Sequence, residues 1–329
     1  MKLDDIIFQL NHHRYSSKTD SRQKYIEPPF SVLDTKLKSW QERREIWYQL
    51  GIQSELGRGE EYGGYNNFGD WIIQKGWTEK GSFVGQEAKL KTSIFDPVLC
   101  ELMYEWFCPK DGTVLDPFAG GSVRGIVSAV LNHPYLGIDL NEYQVESNRE
   151  QANEILKKEK PEWISGDSET ILDTVNEKFD FVFSCPPYFD LEVYTNEEED
   201  LSNMSDENFV NKYHSIIQKS VDKLKENSFA AFVVGEVRNK NGFYKKLVYH
   251  TIDGFEKAGC NFYNDIILLR PVANAAMRIP TQFPNRRKVV RIHQNILIFY
   301  KGEKQENIGE RFEFTKSTAK HHNSGDHES

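Results

Sequence analysis

Asp116-Pro117-Phe118-Ala119-Gly120-Gly121-Ser122 joins the apolar run Thr113-Val114-Leu115 to a segment with helical spacing that starts near Val123. The run is predicted to be a buried strand that stops in a glycine turn and opens a helix. Glycines let a ligand approach the backbone, and the N–H groups at a helix start favour negative charge. Such a corner suits a nucleotide, yet a glycine pair alone fits a plain tight turn equally well.

The next strand adds a second requirement. Tyr135-Leu136-Gly137-Ile138-Asp139 ends in a carboxylate one βα unit downstream, where an acid can accept the two hydroxyls of an adenosine ribose. Phosphate readers fit less well, because no GxGxxG is present and no GK[ST] follows the glycines. A further strand, Phe179-Asp180-Phe181-Val182-Phe183-Ser184, runs into Cys185-Pro186-Pro187-Tyr188. These three corners, in this order, resemble S-adenosylmethionine-dependent methyltransferases of the adenine-N6 and cytosine-N4 type. Those enzymes modify exocyclic amines of DNA bases and carry DPFxGxG and [DNS]PP[YFW]. The resemblance covers about residues 89–300 and extends, less specifically, to the N-terminal regions of phage-encoded DNA methylases.

The resemblance implies an α/β fold: a Rossmann-like methyltransferase sheet, mostly parallel, with an antiparallel closing hairpin and an irregular N-terminal extension. It implies S-adenosylmethionine as cofactor, held by Thr92, Ser93 and Phe95 at its methionine end and by Asp116, Pro117, Phe118, Gly120 and Ser122 at the glycine corner. Asp139 and Leu140 would serve the ribose and the ring edge, and Asp167 and Ser168 the adenine. A helix cap explains Asp96-Pro97 and the residues before it just as well, and Asp167 suits the N-cap of a helix Ser168–Thr174.

In such enzymes the Pro-Pro-aromatic loop grips a base rotated out of the duplex. An exocyclic amine is a poor nucleophile because its lone pair is delocalised, so acceptors near its protons must help the nitrogen rehybridise. Cys185, Pro186, Pro187 and Tyr188 are the catalytic candidates, with the Pro186 carbonyl as one acceptor and the Tyr188 ring as a stacking surface. The sequence departs from the pattern at Cys185, since a thiol is a weak acceptor. Ser184 or another group would then carry more of the load, or the substrate differs. A cysteine nucleophile toward a pyrimidine is a further reading, although in cytosine-C5 enzymes the cysteine follows proline. The glycine corner departs as well, reading Gly-Gly-Ser where Gly-Ser-Gly is usual. Three readings stay open: a site-specific DNA methyltransferase with or without a restriction partner, an RNA guanosine-N2 enzyme, and a non-catalytic DNA-binding module with a degenerate cofactor pocket.

The 329 residues, 38% hydrophobic, can bury a full core. No apolar run approaches the roughly 20 residues of a membrane span and no signal-peptide core follows Met1, so a cytoplasmic protein is expected. Four cysteines without CxxC or zinc spacing argue against disulfides and metals. A net charge of −9 argues against a general nucleic-acid coat but leaves room for a local basic groove. Arg278, Arg286, Arg287, Lys288 and Arg291 crowd the segment 270–293, too long for a simple hairpin, which makes it the expected contact with double-stranded DNA.

The pattern divides the chain into an extension 1–88, a catalytic domain 89–303 and a polar tail 304–329 expected to be disordered. In the extension, Trp40, Ile46, Trp47 and Leu50 predict a helix over 38–50, and the Gly- and Tyr-rich 57–65 predicts a loop. Its aromatics suit packing on the core or stacking on nucleic acid. Helices are further expected over 97–107, 123–131, 141–157, 205–225 and 245–257, and strands over 228–237, 262–269 and 294–300.

Overall fold

A strand covered on both faces reads as an unbroken apolar run rather than an alternating one, and Phe179–Ser184 is buried at all six positions. It lies inside an eight-stranded sheet. The computed structural model describes residues 3–12, 15–16, 24–52, 95–157, 160–191, 199–272, 275–305 and 308–312. Thr92, Ser93 and the loop 57–65 lie outside the described residues.

In chain order the elements are α1 (Leu3–His12), a two-stranded ribbon β1 (Tyr15–Ser16) and β2 (Lys24–Tyr25), β3 (Val32–Asp34), α2 (Lys38–Tyr48) and α3 (Pro97–Phe107). The first half of the core follows: β4 (Val114–Asp116), α4 (Val123–Val130), β5 (Tyr135–Asp139), α5 (Glu142–Ile155), β6 (Glu162–Ser165) and α6 (Ser168–Thr174). The second half holds β7 (Phe179–Ser184), α7 (Asp206–Lys223), β8 (Leu224–Val234), α8 (Leu247–Lys257), β9 (Asn261–Leu269), α9 (Ala275–Arg286), β10 (His293–Lys301) and α10 (Ile308–Arg311).

The strand order is β3-β9-β10-β8-β7-β4-β5-β6. Every pairing is parallel except those of β10, which runs antiparallel between β8 and β9. This is a doubly wound, Rossmann-like sheet closed by an antiparallel hairpin. Chain direction reverses its walk between β4 and β7, so the carboxyl ends of those neighbours flank the crevice where open α/β sheets take ligands.

Two apolar layers cover the sheet. On one face α3 and α4 pack with Trp40, Trp47, Tyr104 and Phe183; on the other α7 and α8 pack with Phe209, Tyr213, Phe232 and Phe255. The predicted capping of α3 is present, with the Asp96 side chain accepting the Val98 N–H and Pro97 opening the helix.

Three features differ from the sequence pattern. Part of the extension is ordered against the core: β3 adds an edge strand beside β9, and three residues are too few to show alternation. The segment 270–293, expected only as an arginine-rich insertion, contains α9 with Pro280 and Pro284 inside it, residues that disfavour a helix interior and so hide it from the sequence. Within the stretch from residue 304, expected to be disordered, Ile308–Arg311 forms α10, whose Arg311 bonds Asp180 and Ser228. The packing partners that hold it lie some 80 to 130 residues away in sequence.

Candidate active site

Asp116 ends β4 and is fully buried. Its Oδ1 accepts the Ser184 hydroxyl at 2.5 Å and the Phe118 N–H at 3.2 Å. Its Oδ2 accepts the Arg124 Nε at 2.5 Å and the Tyr135 hydroxyl at 2.7 Å. Burial opposes the charge on Arg124, but the Asp116 carboxylate outweighs it and holds the guanidinium above its ordinary pKa. Burial pushes the Tyr135 phenol up, and Asp116 adds to that. With four donors at its two oxygens, Asp116 is a structural strut of the glycine corner rather than a group facing a ligand.

The strut joins two corners. Ser184 is the last residue of β7, next to Cys185, and its Oγ also accepts the Phe118 N–H at 3.1 Å. Arg124 closes the turn by donating to the carbonyls of Phe118 and Ala119, at 2.6 and 2.8 Å, and its guanidinium lies 4.5 Å from the Phe95 ring centroid. Phe95 meets Phe183 edge-on. Gly120 has φ +52°, a left-handed conformation that favours glycine.

Asp139, at the end of β5, accepts the Gly120 N–H at 2.7 Å and the Asn141 N–H at 2.9 Å. Asn148 on α5 donates to the Gly120 carbonyl, and Ser122 bonds Gln151 on the same helix. Ser122 is therefore committed inside the protein, as is Ser168, whose Oγ donates to the Pro117 carbonyl at 2.5 Å. Phe118 points its ring at Tyr213 and Phe232. Asp167 caps α6 through the Glu169 N–H and pairs with Lys212 at 2.9 Å. Leu140, half-buried, follows Asp139 at the same rim.

Beside this rim stands the second corner. Cys185 Sγ lies 3.8 Å from the Tyr188 hydroxyl. Tyr188 donates to the Val233 carbonyl at 3.3 Å and accepts from Gln294 Nε2 at 2.7 Å. Pro186 is buried, while Cys185, Pro187 and Tyr188 are half-buried. The next residue, Phe189, is buried at φ +53° and stacks on Phe209 with ring centroids 4.1 Å apart. Lys245 clamps the loop by bonding Asp190 and Asp206, so hydrogen bonds from Lys245 hold the Asp190 carboxyl below its ordinary pKa.

Residues 179–328 match the model of a family described as DNA methylase, N6_N4_Mtase, beginning at the first residue of β7. The matched stretch holds the Cys185–Tyr188 corner and the arginine-rich segment, while the glycine corner and the ends of β5 and β6 precede it. The cofactor of this family is S-adenosylmethionine. A comparison with curated proteins finds no significant match.

Among solved structures, TrmN from Thermus thermophilus is 15% identical, with a TM-score of 0.41, over 63% of this chain and 49% of that one. A TehB-like S-adenosylmethionine-dependent methyltransferase from Corynebacterium glutamicum is 13% identical, with a TM-score of 0.40, over 71% and 98%. Magnesium protoporphyrin IX methyltransferase from Synechocystis, with bound S-adenosylmethionine, is 11% identical, with a TM-score of 0.38, over 72% and 96%. The chain spans about half the length of the first of these.

The basic candidates divide. Arg278, Arg286 and Arg287 are exposed on and just after α9, with Arg287 over the Phe283 ring, and Lys288 is half-buried near Gly242. Arg291 is turned inward, bonding the His293 carbonyl and Asn295. Sequence reasoning missed Arg124, Asn148, Gln151 and Gln294. Their only signal is a polar residue at a buried helical or strand position, which a sequence without its packing does not reveal.

Proposed function

We propose that the protein is a DNA methyltransferase that moves a methyl group from S-adenosylmethionine to an exocyclic amine, adenine N6 or cytosine N4, of a base turned out of the duplex. One observation carries the reading. The Ser184–Asp116 bond, 2.5 Å long, fastens the loop Cys185–Tyr188 directly to the glycine corner, so a methyl donor and an acceptor base would lie side by side. The family match of the second half supports DNA as the substrate class.

The residues present fit the cofactor. Asp139 already acts as an acceptor toward two backbone amides at the rim, the role that a ribose diol asks of it. The backbone of Gly120, Leu140 beside it and Asp167 at the next strand end would complete the cradle, with Phe95, Thr92 and Ser93 at the methionine end. S-adenosylmethionine, when bound, supplies an activated methyl group. The chain's own task is positioning. The Pro186 carbonyl accepts a hydrogen bond from the amino group and so draws the nitrogen toward tetrahedral geometry, while the Tyr188 ring covers one face of the base. Cys185, a weak acceptor, leaves most of this work to the carbonyl. Arg278, Arg286, Arg287 and Lys288 would grip phosphates.

Purified protein with labelled cofactor, offered duplex DNA of varied sequence and tRNA separately, tests the reading. Label in DNA, recovered as N6-methyladenine or N4-methylcytosine after digestion to nucleosides, is expected; label in tRNA alone would overturn it.

A further inference from the structure

We infer that Gln294 and Arg270, the two stem residues of the arginine-rich segment, are positioning residues for the Tyr188 ring. The inference rests on the reading of Tyr188 as the ring that meets the target base. Arg270 follows the last residue of β9, and its N–H donates to the Ile292 carbonyl at 2.9 Å, closing the stem. Gln294 lies opposite Leu268 on β10.

The direction of each bond is fixed. Arg270 Nη1 lies 2.6 Å from Gln294 Oε1, and a guanidinium can only donate, so the amide oxygen must face it. The amide NH2 then faces Tyr188, 2.7 Å away, and the phenol must accept there. Its own proton then goes to the Val233 carbonyl at 3.3 Å, a better acceptor than the Cys185 Sγ at 3.8 Å. The series runs Arg270 to Gln294 to Tyr188 to Val233, with one donor for each acceptor.

The ring is also held at its edge. A Cβ on Gly235 would come within 2.9 Å of Tyr188 Cε2, so the bare backbone of that glycine is what the ring lies against. Tip and edge are both set before any base arrives, which is the preorganisation a stacking surface needs. Because Arg270 and Gln294 are the feet of the segment 270–293, the plane of the ring and the stance of that segment are tied together.

The test uses Gln294→Leu, Gln294→Glu, Tyr188→Phe and the double variant Tyr188→Phe with Gln294→Leu, in the full chain. Misplacing a positioned group costs on the order of 10-fold or more, so Gln294→Leu should lower kcat/KM for duplex DNA about 10-fold while the cofactor Kd stays unchanged. In the Tyr188→Phe background the same change should cost less than about 2-fold, the non-additivity of groups in one series. Gln294→Glu should retain more activity than Gln294→Leu, since a carboxylate accepts from both Arg270 and the phenol. Independent losses that simply multiply would overturn the inference, as would a Gln294→Leu enzyme whose kcat/KM is intact. If the wild type methylates no DNA, the proposed function fails. The same four proteins then decide the inference through their thermal midpoints, where additive shifts from the two substitutions overturn it and coupled shifts sustain it.

Discussion

Four segments meet at one carboxylate. Asp116 receives Ser184 from β7, Tyr135 from β5, Arg124 from α4 and the Phe118 amide from its own turn, so the geometry of the glycine corner depends on all of them. Ser184→Ala removes a donor to Asp116 and one of two acceptors of the Phe118 N–H at a buried site, and an unsatisfied buried group costs about 1–3 kcal/mol. The expected outcome is a loss of stability of that size in urea unfolding, together with weaker cofactor binding by calorimetry; unchanged values for both would show that this bond does not tie the corners. At Gly235 the expected effect is different. Adding a methyl there forces the Tyr188 ring to move, and overpacking costs about 1–3 kcal/mol. Gly235→Ala should therefore lose methyl transfer to DNA while its cofactor affinity stays at the wild-type value.

At the scale of elements, α2 is fixed to α3 by more than apolar burial. Trp40 and Trp47 are buried, and their indole N–H groups bond Asp96 at 2.9 Å and Glu101 at 2.8 Å. Arg43 pairs with Glu101 at 2.5 and 2.7 Å, both side chains being almost fully buried. Breaking a buried pair by removing one partner costs about 3–5 kcal/mol, whereas replacing both by apolar groups is often neutral. Glu101→Ala should lower the unfolding free energy by that amount, and Arg43→Met with Glu101→Leu should recover most of it; a mild effect of Glu101→Ala would mean that water reaches the pair. The helix itself was legible from its tryptophan and isoleucine spacing. That its arginine faced inward was not, because Arg43 occupies a position whose charge signals solvent until a carboxylate from α3, 58 residues away, is placed against it.

Taken as a whole, the molecule carries a net charge of −9 with a local cluster of cations at and after α9. Arg286→Ala with Arg287→Ala should weaken DNA binding and reduce the slope of log affinity against log salt by about 1–2, since each phosphate contact contributes roughly one unit. An unchanged slope would remove this segment from the interface. Elsewhere, Asp180 binds Thr113, Lys225 and Arg311, gathering β7, the residue before β4, β8 and α10. Burial opposes its charge, but the hydrogen bonds from Lys225 and Thr113 prevail and its pKa lies below the ordinary value. A carboxyl depressed in the fold stabilises above its unfolded pKa, about 3.9, and loses that contribution as pH falls through the lower folded value. The stability gap between wild type and Asp180→Asn should be largest near neutral pH and should close below about pH 4; a gap that persists at pH 3 would contradict the assignment.

The sequence by itself determined the order of strands and helices from 97 to 269, the last strand and the two motif corners, because each depends on local periodicity and on glycine and proline at fixed places. Composition alone signalled where cations gather. Only the tertiary structure decided which polar residues turn inward. Asp116, Ser122 and Ser168 read as ligand groups in the sequence and are spent on internal bonds, while Arg124, Gln151 and Gln294 gave no signal and hold the corners in place. The reason is physical: a hydrogen-bond partner tens of residues distant is chosen by packing, and packing exists only once the sheet has brought its strand ends to one rim.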